Sequence, residues 1–403
     1  MKQLFRMLIL LLVRIAGLPG ARAADRQARA PLAGGPRILL LRPDHLGDLV
    51  LTTPVLHVLK ARMPDAHVTM MVGPWSSEVV ARHPAIERLL TCPFPGFRRG
   101  KQGLLAPYIL LVSVAQQLRR GRYDLAINLR PDFWWGAALL YLARIPRRVG
   151  YAIEPGTPFL THALPFPVPE HATLSALRLT SAGLVTVGAP PLEEPYTPER
   201  YPLQFVPTPE EQCWVVERLA GAGIGAEMPV VVIHPGSGAA VKLWRPEAWS
   251  ECADALATSS TTRIVLTGSK GEQALLEEIA GGMTAEALFV TDATVGQLAA
   301  LLQRARLVLG VDSGPLHLAV AQTTPTVAIF GPSDPRIFGP WGVAERHIVV
   351  QARHRCPTCP AIPCNRLDIP AEQLAAHPCV RLVATQEVLE AAERLGSVRH
   401  GVQ

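Results

Sequence analysis

Short aliphatic runs, each ending in a loop of glycine, aspartate or histidine, recur along this chain, and no other feature restricts its fold as much. Arg37–Leu41 (RILLL), His67–Val72, Asp124–Leu129, Val230–Ile233, Arg263–Thr267, Leu307–Val311 and Thr326–Phe330 have the length and composition of strands buried on both faces. Segments of helical periodicity follow: Leu49–Arg62, Ser76–His83, Trp134–Ala143, and helices opening at Pro246, at about Gly271 and at Gly314. Strand, loop and helix in alternation predict an α/β protein with parallel sheets and crossover helices.

A length of 403 residues exceeds one ordinary core and suits two such domains. Proline density between Pro190 and Pro209 excludes helix and central strand, which predicts a linker over 190–209. The expected order is an extension over 1–35, a Rossmann-like domain over 36–189, the linker, a second Rossmann-like domain over 210–350, and a cysteine-containing tail with a C-terminal helix over 351–403. Two doubly wound domains in tandem are expected to face a common cleft with the C-terminal ends of their sheets.

Charge narrows the partners. The formal net charge is +6, but residues 1–30 hold six bases against Asp25, so the remainder carries only +1. No dense basic stripe remains for a phosphate backbone, and nucleic acid is not expected as a partner. In the extension, Met7–Val13 is an unbroken apolar run between Arg6 and Arg14, followed by Ala21-Arg22-Ala23. Three readings compete: a signal peptide, an interfacial helix with Leu4, Leu8, Leu11, Leu12 and Ile15 on one side, or a segment upstream of the true start codon. The run is shorter than the roughly 18 residues of a spanning helix.

Seven cysteines, an odd number in a long chain, predict a mainly reduced protein. Cys356-x2-Cys359-x4-Cys364, with Cys379 further on, is the one clustered set. It is a candidate structural zinc site, less favourably an iron–sulfur site, with free or regulatory thiols as the alternative. Cys92, Cys213 and Cys252 are expected in the core.

Three loops carry candidate chemistry. Gly310-Val311-Asp312-Ser313-Gly314-Pro315-Leu316-His317 sits where a strand ends and a helix begins, a place where backbone N–H groups accept an anion; the plain alternative is a serine N-cap. His234-Pro235-Gly236-Ser237-Gly238 leads to Lys242, and such a turn can cradle phosphate while a lysine neutralises it. Arg42-Pro43-Asp44-His45-Leu46-Gly47-Asp48 follows the first strand, with Asp48 in the first turn of the next helix, a candidate general base or an ordinary acidic helix start. Gly221-Ala222-Gly223-Ile224-Gly225 ends a helix and is read as its C-cap. No P-loop and no Asp-x-Asp clamp occurs, so a cation for diphosphate must come from lysine or arginine.

Together LRPDHLGDLVLTTP, HPGSGAAVKLWRPEAW and LVLGVDSGPLHLAVA resemble the ADP-heptose:lipopolysaccharide heptosyltransferase family over about Arg37 to Phe338. The resemblance implies a GT-B fold and inverting, metal-independent transfer from a nucleotide-activated heptose to a lipid-linked glycan acceptor, with no cofactor for catalysis. It implies Asp48 as general base and Lys242 as the phosphate contact. On the donor it implies Ser237, Gly238, Asp312, Ser313, Gly314 and His317, with Glu272 on the ribose. The loop Asn128–Trp135 departs from the family pattern; Arg130 and Trp134 in it, with Arg42 after the first strand, are candidate acceptor contacts, the alternative for Trp134 and Trp135 being core positions. A nucleotide sugar is a cytosolic metabolite, so the expected location is the inner face of the cytoplasmic membrane, with the extension as a peripheral anchor on the membrane surface. The rivals are a GT-B-like nucleotide-sugar epimerase or hydrolase, separable by donor turnover without acceptor, and a non-catalytic membrane-associated sugar-nucleotide-binding protein.

Overall fold

A computed structural model describes residues 2–28, 34–97, 103–167, 169–257 and 262–397. The chain divides into two compact units, Met1–Tyr196 and Thr197–Gln403.

The first unit runs α1 (Lys2–Gln27), β1 (Arg37–Arg42), α2 (Leu46–Val50), α3 (Thr53–Arg62), β2 (His67–Val72), β3 (Arg88–Thr91), α4 (Ala106–Arg119), β4 (Leu125–Asn128), α5 (Trp134–Leu142), β5 (Arg147–Tyr151), β6 (His162–Leu164) and α6 (Ala172–Thr186). The second runs α7 (Pro209–Gly221), β7 (Val230–His234), α8 (Pro246–Ala257), β8 (Arg263–Thr267), α9 (Gln273–Gly281), β9 (Ala287–Val290), α10 (Val295–Arg304), β10 (Leu307–Val311), α11 (Gly314–Ala321), β11 (Thr326–Phe330), α12 (Pro335–Phe338), β12 (His347–Gln351) and α13 (Thr385–Ser397). The sheets read β3-β2-β1-β4-β5-β6 and β12-β11-β10-β7-β8-β9. Every pairing is parallel. Each is the Rossmann order, traced twice. The aliphatic runs are buried along their length in β7, β10 and β11, as strands covered on both faces must be.

Local chemistry revises some expected boundaries. The segment expected as one helix, Leu49–Arg62, splits into α2 and α3, because Pro54 has no N–H to donate; the Thr52 and Thr53 hydroxyls donate instead to the carbonyls of Asp48 and Val50. Ser76–His83 contains a single 3₁₀ turn, Ser77–Val79. His83 precedes a proline, which disfavours helical backbone, and the Ser76 hydroxyl donates to the Asp44 carbonyl at 2.9 Å. Gly221 does end α7, and Gly223 has φ +71°. Cys92 and Cys252 are buried, and burial pushes both thiols up to about 12, but Cys213 is exposed. On α7 the core positions are Val215 and Leu219, and a residue two before Val215 projects from the opposite side.

The N-terminal helix differs from expectation in length. The unbroken Met7–Val13 run is too short to cross a membrane; as a helix, Leu4–Gln27 is long and apolar enough by length and composition, with Arg14 inside its apolar middle and Arg6, Arg22, Asp25 and Arg26 toward its ends. It is also seated on its own unit. Leu10, Ala21 and Ala24 are buried, and the Tyr141 hydroxyl donates to the Arg14 carbonyl at 2.8 Å. The enclosed Arg148 guanidinium pairs with Asp25 at 3.2 Å. Leu4, Leu8, Leu11, Leu12 and Ile15 remain exposed.

Candidate active site

The residues singled out by their motifs leave four strand ends, and topology explains the choice. Each sheet reverses its winding between its first and fourth strands, at β1/β4 and β7/β10, and loops diverging there open a crevice beyond the carboxyl ends. Asp44 and Asp48 follow β1, and Arg130 follows β4. His234 to Lys242 follow β7, and Asp312 to Gly314 follow β10.

In the first unit these groups form a chain of alternating charge. The Arg42 guanidinium, its side chain 5% exposed, donates to the Leu129 carbonyl at 2.6 Å, faces Asp44 Oδ2 at 2.8 Å and reaches Asp48 Oδ1 at 3.4 Å. Asp44 is 3% exposed and pairs as well with Arg130, which donates to Asp132 at 2.7 Å and lies 4.9 Å above the Phe97 ring. Burial works against the Arg130 charge, but Asp44 and Asp132 outweigh it and raise its pKa. Asp44 is therefore a counterion enclosed between two guanidinium groups. Asp48, on the first turn of α2 and 29% exposed, is the carboxylate an incoming hydroxyl can reach.

The three expected acceptor contacts look different in place. Arg42 is enclosed, tied to Asp44 and Asp48 on its own side and to the Leu129 carbonyl after β4. Arg130 is engaged by two aspartates. Trp134, half-buried, packs against Tyr108 with ring centroids 6.4 Å apart and has the Arg6 guanidinium 5.2 Å from its ring.

In the second unit the Lys242 ammonium meets Asp312 Oδ2 at 2.6 Å, and the Ser333 hydroxyl donates to the same oxygen at 2.5 Å. Ser237 Oγ approaches the Asp312 carbonyl at 3.5 Å, and Gly238 is exposed beside it. Ser313 is the residue before α11, yet its hydroxyl caps nothing; Oγ is buried without a hydrogen-bond partner among the described residues. That outcome disfavours the plain N-cap reading, since a buried hydroxyl without a partner is costly unless a ligand supplies one. His317 is buried on the same helix.

Glu272 closes the far side of the β7 loop. It accepts from the Ser269 N–H and hydroxyl, both at 2.7 Å, and a Cβ on Gly236 would lie 2.0 Å from its Oε1, so a side chain there would push this carboxylate aside. His234, wholly buried with Nδ1 3.0 Å from Thr267 Oγ1, is pushed down to about 4 by burial, against the opposing pull of Glu272. Sequence reasoning missed His234 as part of this wall, and it missed Ser333; the available signal for Ser333 was Gly331-Pro332-Ser333, one more glycine loop at the end of a buried strand.

Among the described residues this set offers one ammonium, a buried hydroxyl and a helix N-terminus, with the Asp312 carboxylate already paired to Lys242 and Ser333. Such groups receive negative charge developing on a leaving phosphate, while an accessible carboxylate removes a proton.

Comparison with known proteins identifies the family. A model of glycosyltransferase family 9 (heptosyltransferase) matches residues 111–364. Lipopolysaccharide heptosyltransferase 3 of Escherichia coli (strain K12) is 28% identical over 305 residues, covering 73% of this chain and 82% of that protein. The solved glycosyl transferase family 9 structure from Veillonella parvula superposes with a TM-score of 0.72 at 22% identity, over 91% of this chain and 99% of that one. The E. coli heptosyltransferase WaaC with ADP-2-deoxy-2-fluoro heptose gives 0.59 at 19% identity, over 79% and 93%. Two Rossmann sheets of GT-B type, chemistry at their switch points and a family match over more than half of the residues lead to one assignment: the chain belongs to glycosyltransferase family 9, the heptosyltransferases, and is a glycosyltransferase.

Proposed function

We propose that this enzyme transfers heptose from ADP-heptose to a lipopolysaccharide core acceptor, by an inverting displacement that needs no metal. The observation that carries the reading is the division of groups: the first unit offers the accessible carboxylate of Asp48, and the second offers Lys242, Ser313 and the start of α11. The named substrates of its relatives, lipopolysaccharide and an ADP-heptose analogue, supply the acceptor and donor classes.

In this mechanism Asp48 takes the proton of the acceptor hydroxyl as its oxygen attacks the anomeric carbon. The bond to the diphosphate breaks on the opposite face, so the configuration inverts. Lys242 and the amides opening α11 receive the charge of departing ADP, and Ser313 Oγ gains the partner it lacks. Ser237, Gly238 and His317 line the phosphate side, and Glu272 takes the ribose hydroxyls. The enzyme works on the inner face of the cytoplasmic membrane, peripheral through the exposed leucines of α1 and the basic residues Arg6, Arg14 and Arg22.

Intact-mass analysis of products from a panel of truncated lipopolysaccharides with ADP-heptose tests the reading. A gain of one heptose on one acceptor is expected. Turnover of ADP-heptose without acceptor and without any gain in acceptor mass would favour a hydrolase if ADP is released, or an epimerase if the sugar is isomerised on the intact nucleotide; ADP-heptose binding with no turnover would favour a binding protein.

A further inference from the structure

Residues 352–384 form neither α-helix nor strand among the described residues, yet they are packed closely enough to bury Cys356, Cys359, His377 and Cys379. None of these thiols is in a disulfide. One ligand atom each from Cys356, Cys359 and His377 lies within 4.8 Å of the others, and Cys359 Sγ is 3.3 Å from His377 Nδ1. Cys379 is buried in the same core cluster as Cys356 and Cys359. Ligands on a tetrahedral zinc with bonds of 2.0 to 2.3 Å stand roughly 3.5 Å apart, so this cluster needs little contraction. Soft sulfur with imidazole, carrying no carboxylate, selects zinc over magnesium or calcium.

The cluster adjoins the donor loop. A Cβ on Gly331 would lie 2.1 Å from Val380 Cγ2 and 3.4 Å from Cys379 Sγ, and the Asn365 N–H donates to the Pro332 carbonyl at 2.7 Å. Ser333, next in the chain, donates to Asp312. The segment's far end is held by Trp244, whose Nε1 donates to the Val383 carbonyl at 3.1 Å.

We propose that Cys356, Cys359, His377 and Cys379 bind one structural Zn²⁺, and that this zinc braces the Gly331–Ser333 turn against which Asp312 is held. His377 is the ligand that cysteine spacing alone does not reveal, and the half-exposed Cys364, beside Cys359, is the cysteine left over from the set of four. A site of this kind is built from loop, and zinc adds cohesion to that segment. The bracing role rests on the donor-site reading above; the metal site does not.

The test uses the full chain purified under reducing conditions. Elemental analysis should find one zinc per chain, and cobalt exchanged into the site should give the intense visible bands of tetrahedral thiolate coordination. Cys359→Ser and His377→Ala should each lose most of the metal, while Cys364→Ser keeps it. A chain free of metal, iron in place of zinc, or full zinc in both ligand variants would overturn the site. Metal loss in Cys364→Ser would overturn the ligand set. The wild-type cobalt spectrum decides the matter even where a variant fails to fold. Titration with ADP then tests the brace: zinc-stripped protein should bind ADP several-fold more weakly, with affinity restored by zinc. Unchanged affinity in stripped protein would overturn the brace and leave the zinc standing. No ADP binding by zinc-loaded protein would instead refute the donor-site reading.

Discussion

Asp44 and Asp48 lie on one loop four residues apart, and replacing each by asparagine should give opposite signatures. Asp44 is 3% exposed between two guanidinium groups, with Arg42 at 2.8 Å. Losing one partner of a buried ion pair costs about 3–5 kcal/mol; asparagine keeps the shape and some hydrogen bonding, so Asp44→Asn should cost about 3 kcal/mol of stability. Asp48 is 29% exposed and 3.4 Å from Arg42, a screened contact worth about 1 kcal/mol or less. Its carboxylate is needed for the proton, and loss of a general base lowers the rate about 10²–10⁴-fold, or about 3–5 kcal/mol of barrier. Urea unfolding of both variants, with initial rates of heptose transfer at saturating substrates, separates the effects. Asp48→Asn should unfold like wild type and turn over poorly; Asp44→Asn should unfold early and, while folded, turn over. An active Asp48→Asn, or a fully stable and inactive Asp44→Asn, would show that the base has been assigned to the wrong carboxylate.

Lys242→Met leaves Asp312 without its ammonium and should lower kcat/KM about 10²–10³-fold, with weaker ADP binding; wild-type kinetics would remove Lys242 from the phosphate site. Transfer should proceed equally in EDTA and in added Mg²⁺, and a strict magnesium requirement would contradict the proposed mechanism. His234 is near 4 in the folded protein and about 6.5 unfolded, so the unfolded state binds the extra proton in between. Its contribution is full above about pH 6.5 and falls on acidification toward about pH 4, by at most about 3 kcal/mol. His234→Gln should flatten the difference in urea midpoint between pH 7.5 and 5 relative to wild type; an unchanged slope would assign the acid sensitivity elsewhere. Asp25→Ala leaves the buried Arg148 with the carbonyls of Ile145 and Phe159 but without that carboxylate, and limited proteolysis should then cut α1 faster than in wild type.

Strand periodicity and the end-of-strand loops were enough to read the fold class and the positions of Asp48, Lys242 and Asp312, because a parallel strand buried on both faces must be aliphatic and its ligand-facing end must break that pattern. Which loop charges are spoken for was not legible. Asp44 and Asp48 look equivalent in sequence, and only the return of β4 beside β1, bringing Leu129 and Arg130 to Arg42 and Asp44, encloses one and leaves the other open. The same holds for Trp134, which meets Arg6 from a helix more than a hundred residues earlier, and for His377, which joins Cys359 across 18 residues of irregular chain. Periodicity and spacing report what a segment is suited to bury; partners distant in sequence, brought together only when the sheets close, decide which polar groups remain available for chemistry.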